Sequence, residues 1–258
     1  MARTHETGSS KVPAVTLAFW IIKIGATTLG ETGGDALSMT LNLGYLVSTG
    51  IFAAVFLVAA FAQIRARGFH PLPYWTAIVA TTTVGTTMAD FADRSLGIGY
   101  VGGSAILLAL LAASLASWRL VVGNVSVNSI VTPRVEMFYW ATILFSNTLG
   151  TALGDFFADD SGLGYGGAAL AFVAALALVA AAYFFTRLSH AALFWAAFVL
   201  TRPLGATLGD LLTKPLADGG LHMGRIGSSA AIAVCMIGCI LLTAQRAGAH
   251  PGRAEPGV

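Results

Sequence analysis

The sequence predicts an all-α membrane protein in which eight transmembrane helices form four parallel-repeat helical hairpins, with both termini cytoplasmic. Three observations predict it. The 258-residue chain is 56% hydrophobic and only 10% charged, with a mean hydropathy of +0.78, whereas soluble domains carry about 25% charged residues. At least seven mostly apolar windows, with an eighth completing an even count, are long enough at about 1.5 Å per residue to cross roughly 30 Å of hydrocarbon. A sequence segment also recurs along the chain, which is the mark of a repeat architecture.

The expected spans are 13–31, 42–63, 72–90, 97–118, 135–155, 163–186, 190–211 and 223–244. They make a single transmembrane domain over 13–245, with repeats at about 13–67, 68–120, 134–188 and 189–245 and cytoplasmic tails at 1–12 and 246–258. The first span is read as a helix, not a signal peptide, because Lys23 interrupts it and no small-x-small cleavage site follows a short apolar region. Trp75, Trp140 and Trp195 stand near the starts of the third, fifth and seventh spans and read as interfacial anchors. In the seventh, Arg202-Pro203 sets a cation beside a proline that frees a backbone carbonyl, either a transport-core feature or a static kink. In the eighth, Cys235, Met236 and Cys239 offer soft sulfur, but close packing around Gly238 is the better reading. His70 and His190 read as loop residues, and His222 is not assigned as a ligand.

Charge sorts by side. Arg3, Lys11, Arg65, Arg67, Arg119, Arg134, Arg187, Arg246 and Arg253 fall on one side, against Arg94, Lys214 and Arg225 on the other, so the positive-inside rule places both termini in the cytoplasm. Nine of the twelve carboxylates, Glu31, Asp35, Asp90, Asp93, Asp155, Asp159, Asp160, Asp210 and Asp218, gather on the opposite face. Acids steer topology little, so insertion does not account for this asymmetry. Asp93, Asp159, Asp160 and Asp218 are expected to be solvated loop residues.

Residues 75–102, WTAIVATTTVGTTMADFADRSLGIGYVG, align without a gap on 140–167, WATILFSNTLGTALGDFFADDSGLGYGG. A third copy, WAAFVLTRPLGATLGD, keeps the step from Trp195 to Asp210, and IIKIGATTLGE at the start of the chain ends in Glu31 after a one-residue insertion. Each copy contains two spans, so all four enter in the same orientation, about an axis along the membrane normal.

This register aligns Glu31, Asp90, Asp155 and Asp210 as one layer of carboxylates, the candidate ion-binding, proton-relay or metal-ligating residues. An acid near hydrocarbon is costly and should face the bundle interior with a partner. Eight residues earlier, about 12 Å deeper, stand Lys23, Thr82, Asn147 and Arg202, of which Lys23 and Arg202 are expected to compensate charge. Four acids against two bases leave minus two if all are ionised, which a divalent cation would neutralise. Thr27, Thr28, Thr86, Thr87, Thr151 and Thr207 lie between, and hydroxyl with carboxylate oxygen suits hard cations such as magnesium, calcium or manganese. The competing expectation is architectural: small residues and interhelical ion pairs that only hold the bundle.

The motifs KIGATTLGETGGD, GTALGDFFADDSGLGYGG and TRPLGATLGDLLTKP resemble a bacterial family of uncharacterised multi-spanning inner-membrane proteins built from a repeated domain of unknown function. The likeness covers about residues 13–245, and the recurrent acids of the family correspond to Glu31, Asp90, Asp155 and Asp210. It implies a bacterial inner-membrane location and supplies no activity.

The functional expectation is a small-cation transporter, for a divalent metal with proton coupling, whose cation is cargo and not a bound cofactor. Two alternatives stand beside it: a carrier of a small organic or anionic solute held by Arg202 and Lys23, and a non-transporting scaffold. An enzyme is not expected, since the sequence has no Ser/His/Asp order, zinc-type His/Cys spacing, haem histidine pair or phosphate loop. The lipid bilayer is the expected partner, and nucleic acid is not, because no basic stripe exists beyond the loop charges. Eight helices with four acids could close into one bundle or require a homodimer.

Overall fold

The computed structural model describes residues 10–66, 68–127 and 130–248. Arg3, Arg67 and Arg253 of the topology argument, and most of both expected tails, lie outside them. Eight α-helices occupy most of the described chain: α1 Leu17–Asp35, α2 Tyr45–Arg65, α3 Pro71–Asp90, α4 Tyr100–Val122, α5 Pro133–Asp155, α6 Gly164–Phe185, α7 His190–Thr213 and α8 Arg225–Leu242. Five of them, α2, α4, α6, α7 and α8, are long and apolar enough to cross a membrane.

Local chemistry sets the ends. Thr16, Thr132 and Ser189 cap α1, α5 and α7 by accepting from Phe19, Val135 and Ala192 amides, and Pro71 and Pro133 open α3 and α5 where a missing N–H costs nothing. After the repeat acid, α1, α3 and α5 each pass into a five-residue π-helical turn, Ala36–Thr40, Phe91–Ser95 and Phe156–Asp160. The chain then reverses through glycines such as Gly99, whose φ of 77° a Cβ would disfavour, into the tyrosine that begins α2 or α4.

The odd-numbered helices form a closed ring in which α1 packs on α3, α3 on α5, α5 on α7 and α7 on α1. The even-numbered helices form an outer layer, each leaning on the ring helix of the next repeat: α2 on α3, α4 on α5, α6 on α7, and α8 on α1. This is the arrangement four like-oriented hairpins produce about one axis. Burial follows it. More than half of the α7 span is buried (56%), against 22%, 11%, 17% and 17% for α2, α4, α6 and α8. The ring helices α1, α3 and α5 fall short of the apolar criterion because their threonines, Lys23, Asn147 and acids face inward.

Close approach in the ring depends on glycine. A Cβ on Gly85 of α3 would sit 3.0 Å from the Asn147 carbonyl carbon of α5, and one on Gly154 of α5 would sit 3.0 Å from the Ala206 Cβ of α7. Missing side chains bring backbones together where helices have no hydrophobic drive to associate in lipid.

The two ends of the ring differ. At the end carrying the first and last described residues, Phe19, Tyr74, Trp75, Trp118, Tyr139, Trp140 and Trp195 form one buried aromatic cluster, joined by a Tyr74 to Tyr139 hydroxyl bond of 2.6 Å. The three repeat tryptophans are therefore not interfacial anchors. Trp75 donates to Gln245 at 3.1 Å and Trp195 to the Val125 carbonyl at 3.0 Å, because segments outside their own helices cover this end of the ring. Residues 10–14 cross this end as a strap: the Lys11 amide donates to Ile130 (2.9 Å), Gly248 to Val12 (2.8 Å), and the Lys11 ammonium pairs with Glu136 at 2.8 Å. Part of the expected tail is thus buried packing.

Candidate functional site

The opposite end carries the acids. Glu31, Asp90, Asp155 and Asp210 are all buried, 2–3% exposed, near the ends of the four ring helices, and they face the ring interior. Asp35, one turn beyond Glu31, joins them at 1% exposure. One carboxylate oxygen each of Glu31, Asp35 and Asp210 lies within 4.8 Å of the others. Among the described residues, these three are the acids close enough to share a cation.

Bases are interleaved with the acids. Arg94 bonds Asp90 at 2.8 Å and reaches Asp155 and Asp159 at 3.9 Å, which ties repeat two to repeat three. Lys214 meets Asp210 at 3.2 Å and Asp35 at 3.6 Å, tying repeat four to repeat one, and Arg225 adds a contact to Asp35 at 3.4 Å. Burial lowers the proton affinity of Arg94 and Lys214, but facing carboxylates outweigh it, Asp90 and Asp155 for the first and Asp210 and Asp35 for the second. Both bases are held charged.

Deeper in the ring, Arg202 is fully buried and crosses the axis. Its Nη2 meets Glu31 of α1 at 2.9 Å, the Thr82 carbonyl of α3 at 3.4 Å, the Thr86 hydroxyl of α3, and the Thr151 hydroxyl of α5 at 2.6 Å. One atom on α7 therefore contacts all three other ring helices. Helix α7 runs without interruption through Pro203. Lys23 is also fully buried but does not reach an acid; it donates to Asn147 at 3.4 Å and stands 4.2 Å from the Phe198 ring centre.

The threonines divide. Thr86 donates to Glu31 at 3.1 Å and Thr151 accepts from Arg202, so these two belong to the cluster. Thr27, Thr28, Thr87 and Thr207 spend their hydroxyls on backbone carbonyls, Thr27 bridging from α1 to Thr201 of α7 at 3.1 Å. Asn147 binds Thr81 and Lys23 across the ring. Of the acids expected in solvated loops, Asp159, Asp160 and Asp218 are exposed, whereas Asp93 is buried against α4. Burial raises the proton affinity of Asp93, and Arg94 offsets this only in part.

Sequence reasoning passed over Asp35, Arg94, Lys214 and Arg225 as partners. A signal was there: the residue four beyond each repeat acid is Asp35, Arg94, Asp159 and Lys214, an alternation of sign at helical spacing. Tyr45, Tyr100 and Tyr165 were also missed; they lie in electrostatic reach of Asp90, Asp155 and Asp210. With these bases counted, Arg94, Arg202, Lys214 and Arg225 contact the five buried acids, and Lys23 stands apart on Asn147. The expected net charge of minus two becomes minus one for the layer when all are ionised.

The repeat seen in the ring also decides kinship. Residues 18–69, 73–123, 138–189 and 193–247 each match the family described as Repeat of Unknown Function (DUF347). The chain belongs to the DUF347 family. No curated protein and no solved structure matches it. The four DUF347 units correspond to the four hairpins α1–α2, α3–α4, α5–α6 and α7–α8, so each unit supplies one ring helix and one outer helix.

Proposed function

We propose that the chain is a multi-pass protein of the bacterial inner membrane, with eight spans and both termini cytoplasmic, that carries a small divalent cation in exchange for protons. The observation that carries this is the incomplete satisfaction of the acidic layer. Glu31, Asp35 and Asp210 converge within 4.8 Å, yet Asp35 Oδ1 is buried with no hydrogen bond, and Asp210 Oδ1 and Asp155 Oδ2 have only ion-pair contacts, to Lys214 at 3.2 Å and to Arg94 at 3.9 Å. Buried carboxylate oxygens are costly without a partner, and hard cations take such oxygens as ligands.

Neutrality constrains the step. A divalent ion entering a layer of five buried acids and four contacting bases raises its charge by two unless two positive charges leave. Arg94 and Lys214 are the bases placed to leave: they sit at the rim, beside the loops, with side chains 34% and 11% exposed, and their contacts to Asp155 and Asp35 are long, 3.9 and 3.6 Å. Protons released from the carboxyls supply the same balance. Arg202 and Lys23 are sealed within and are assigned to holding the ring.

The topology rests on charge and length. Lys11, Arg65, Arg119, Arg134, Arg187 and Arg246 stand at the end with the first and last described residues, as expected of a cytoplasmic face. Helices α1, α3 and α5 have 19, 20 and 23 residues, enough to span about 30 Å. A monomer already closes the ring, which favours one chain over a homodimer as the transport unit.

The test is uptake of manganese, magnesium and calcium into proteoliposomes with an imposed pH gradient, comparing wild type with Asp210→Asn. Flux of one cation that is lost in the variant while the protein remains folded supports the proposal. Equal flux in both rejects a central role for the layer. A scaffold is favoured by one observation, an ion-pair contact to a base at four of the five buried acids, with the fifth, Asp155, at 3.9 Å from Arg94, and absence of flux for every cation would select it.

A further inference from the structure

We propose that Lys23 and Arg202 hold a small monovalent anion within the ring, deeper than the carboxylate layer that Arg202 touches at Glu31. The inference stands independently of cation transport. It begins from an unpaired cation at mid-depth. Lys23 and Arg202 are both fully buried, and the acid bonded there is Glu31, whose Oε2 already accepts from Arg202 at 2.9 Å and Thr86 at 3.1 Å. Among the described residues no carboxylate lies within 4.0 Å of the Lys23 ammonium. Glu31 is spent on Arg202, so Lys23 is left with no acid in contact, and its ammonium repels the Arg202 guanidinium.

The donors are also in surplus. A guanidinium has five N–H groups and an ammonium three. The Arg202 contacts run through Nη2, while Nε and Nη1 are buried with no hydrogen-bond partner. Lys23 makes one bond, to Asn147 Oδ1 at 3.4 Å, and otherwise faces the Phe198 ring. The Ser146 hydroxyl, beside Asn147 in the chain, is buried and unpartnered as well. Buried polar groups of this kind are almost always satisfied by protein, water or an ion. Neutral water would satisfy donors without pairing the Lys23 charge, whereas a single negative charge does both.

Size follows from packing. At this level the ring walls are in contact: Gly85 abuts the Asn147 backbone, and Gly150 abuts the Arg202 side chain. Walls this close admit at most a small ion such as chloride, bromide or nitrate and exclude gluconate.

The discriminating substitution is Asn147→Asp, which puts a covalent negative charge where Lys23 already finds an oxygen. Melting temperature would be measured in detergent with chelator present, at fixed sodium and ionic strength, in chloride, bromide, nitrate or gluconate. Wild type is expected to gain several degrees, saturably, in the small anions over gluconate, since a ligand of the folded state stabilises by mass action. Asn147→Asp is expected to be as stable in gluconate as in chloride. Wild type that is indifferent to the anion, or a variant that retains the full dependence, overturns the site. Should the variant fail to fold, bromide-soaked crystals of the wild type decide it: an anomalous peak beside Lys23 Nζ supports the proposal, and none at saturating bromide refutes it. Because no divalent cation is present, neither result depends on cation binding by the carboxylate layer.

Discussion

The two ends of the ring are built from the same repeated helix yet behave as opposites. At the strapped end, the early residues of each ring helix are aromatic, and Tyr74, Trp75, Tyr139, Trp140 and Trp195 interlock beneath a strap fixed by Lys11 and Glu136. At the acidic end, the last turn of each ring helix presents a carboxylate, and the contacts are ion pairs at 2.8 to 3.9 Å, of which Arg94 to Asp155 and Lys214 to Asp35 reach from one repeat to the next. Aromatic packing is dense and has few alternative arrangements. Ion pairs at a rim can exchange partners. One end is thus held by aromatic packing and the other by ion pairs, with Arg202 between them touching all three other ring helices.

The comparison is broken most severely at its midpoint. Arg202→Met should cost about 3–5 kcal/mol of folding stability, because it strands the buried Glu31 carboxylate. Adding Glu31→Gln should recover a large part of that loss, as a double-mutant cycle in detergent would measure. Equal melting of wild type and Arg202→Met would show that the axial contacts carry no energy.

The next effect lies along the seams. Gly85→Ala forces α3 away from the Asn147 backbone, 3.0 Å from the new Cβ, and should cost roughly 1–3 kcal/mol. Gly25→Ala, with nothing within 4 Å of its Cβ, should be neutral or stabilising by up to about 1 kcal/mol. Chemical denaturation of the pair tests whether close approach, and not glycine content, holds the ring.

Much of this was legible in the sequence. The span expected at 42–63 is α2 at 45–65, and the recurring acid located the layer and the common orientation of the hairpins. The bases of the layer were hidden because Asp35, Arg94, Asp159 and Lys214 occupy one repeat position with different charges, so aligning like with like passes over them. The tryptophans were misread because a tryptophan near a helix start can face headgroups or a neighbouring helix. The segments that distinguish the two, the strap at residues 10–14 with Val125 and Gln245, lie outside the helices that carry Trp75, Trp140 and Trp195. The placement of Arg202 across the axis likewise depends on Gly150 and Thr151 of another repeat.

The smallest expected effect concerns Asp93, which differs from its exposed neighbours in the loops. Both of its oxygens are buried without hydrogen bonds, and burial raises its proton affinity above the usual 3.8. The folded state therefore holds the proton more tightly than the unfolded chain, and stability falls as pH rises through 3.8 toward the folded value. Asp93→Asn should accordingly stabilise at pH 7 and gain little at pH 4, as melting curves at the two values would show. A gain that does not change with pH would assign the effect to packing.

The measurement that bears most directly on the acidic end is cation-dependent melting of wild type, Asp35→Asn/Asp210→Asn and an Asp218→Asn control, at constant chloride. Stabilisation of the wild type and the control by one divalent cation, absent in the double variant, is the result predicted for a layer that binds its cargo. Indifference of all three proteins to manganese, magnesium and calcium would contradict it and leave the ion pairs as a lock on the ring.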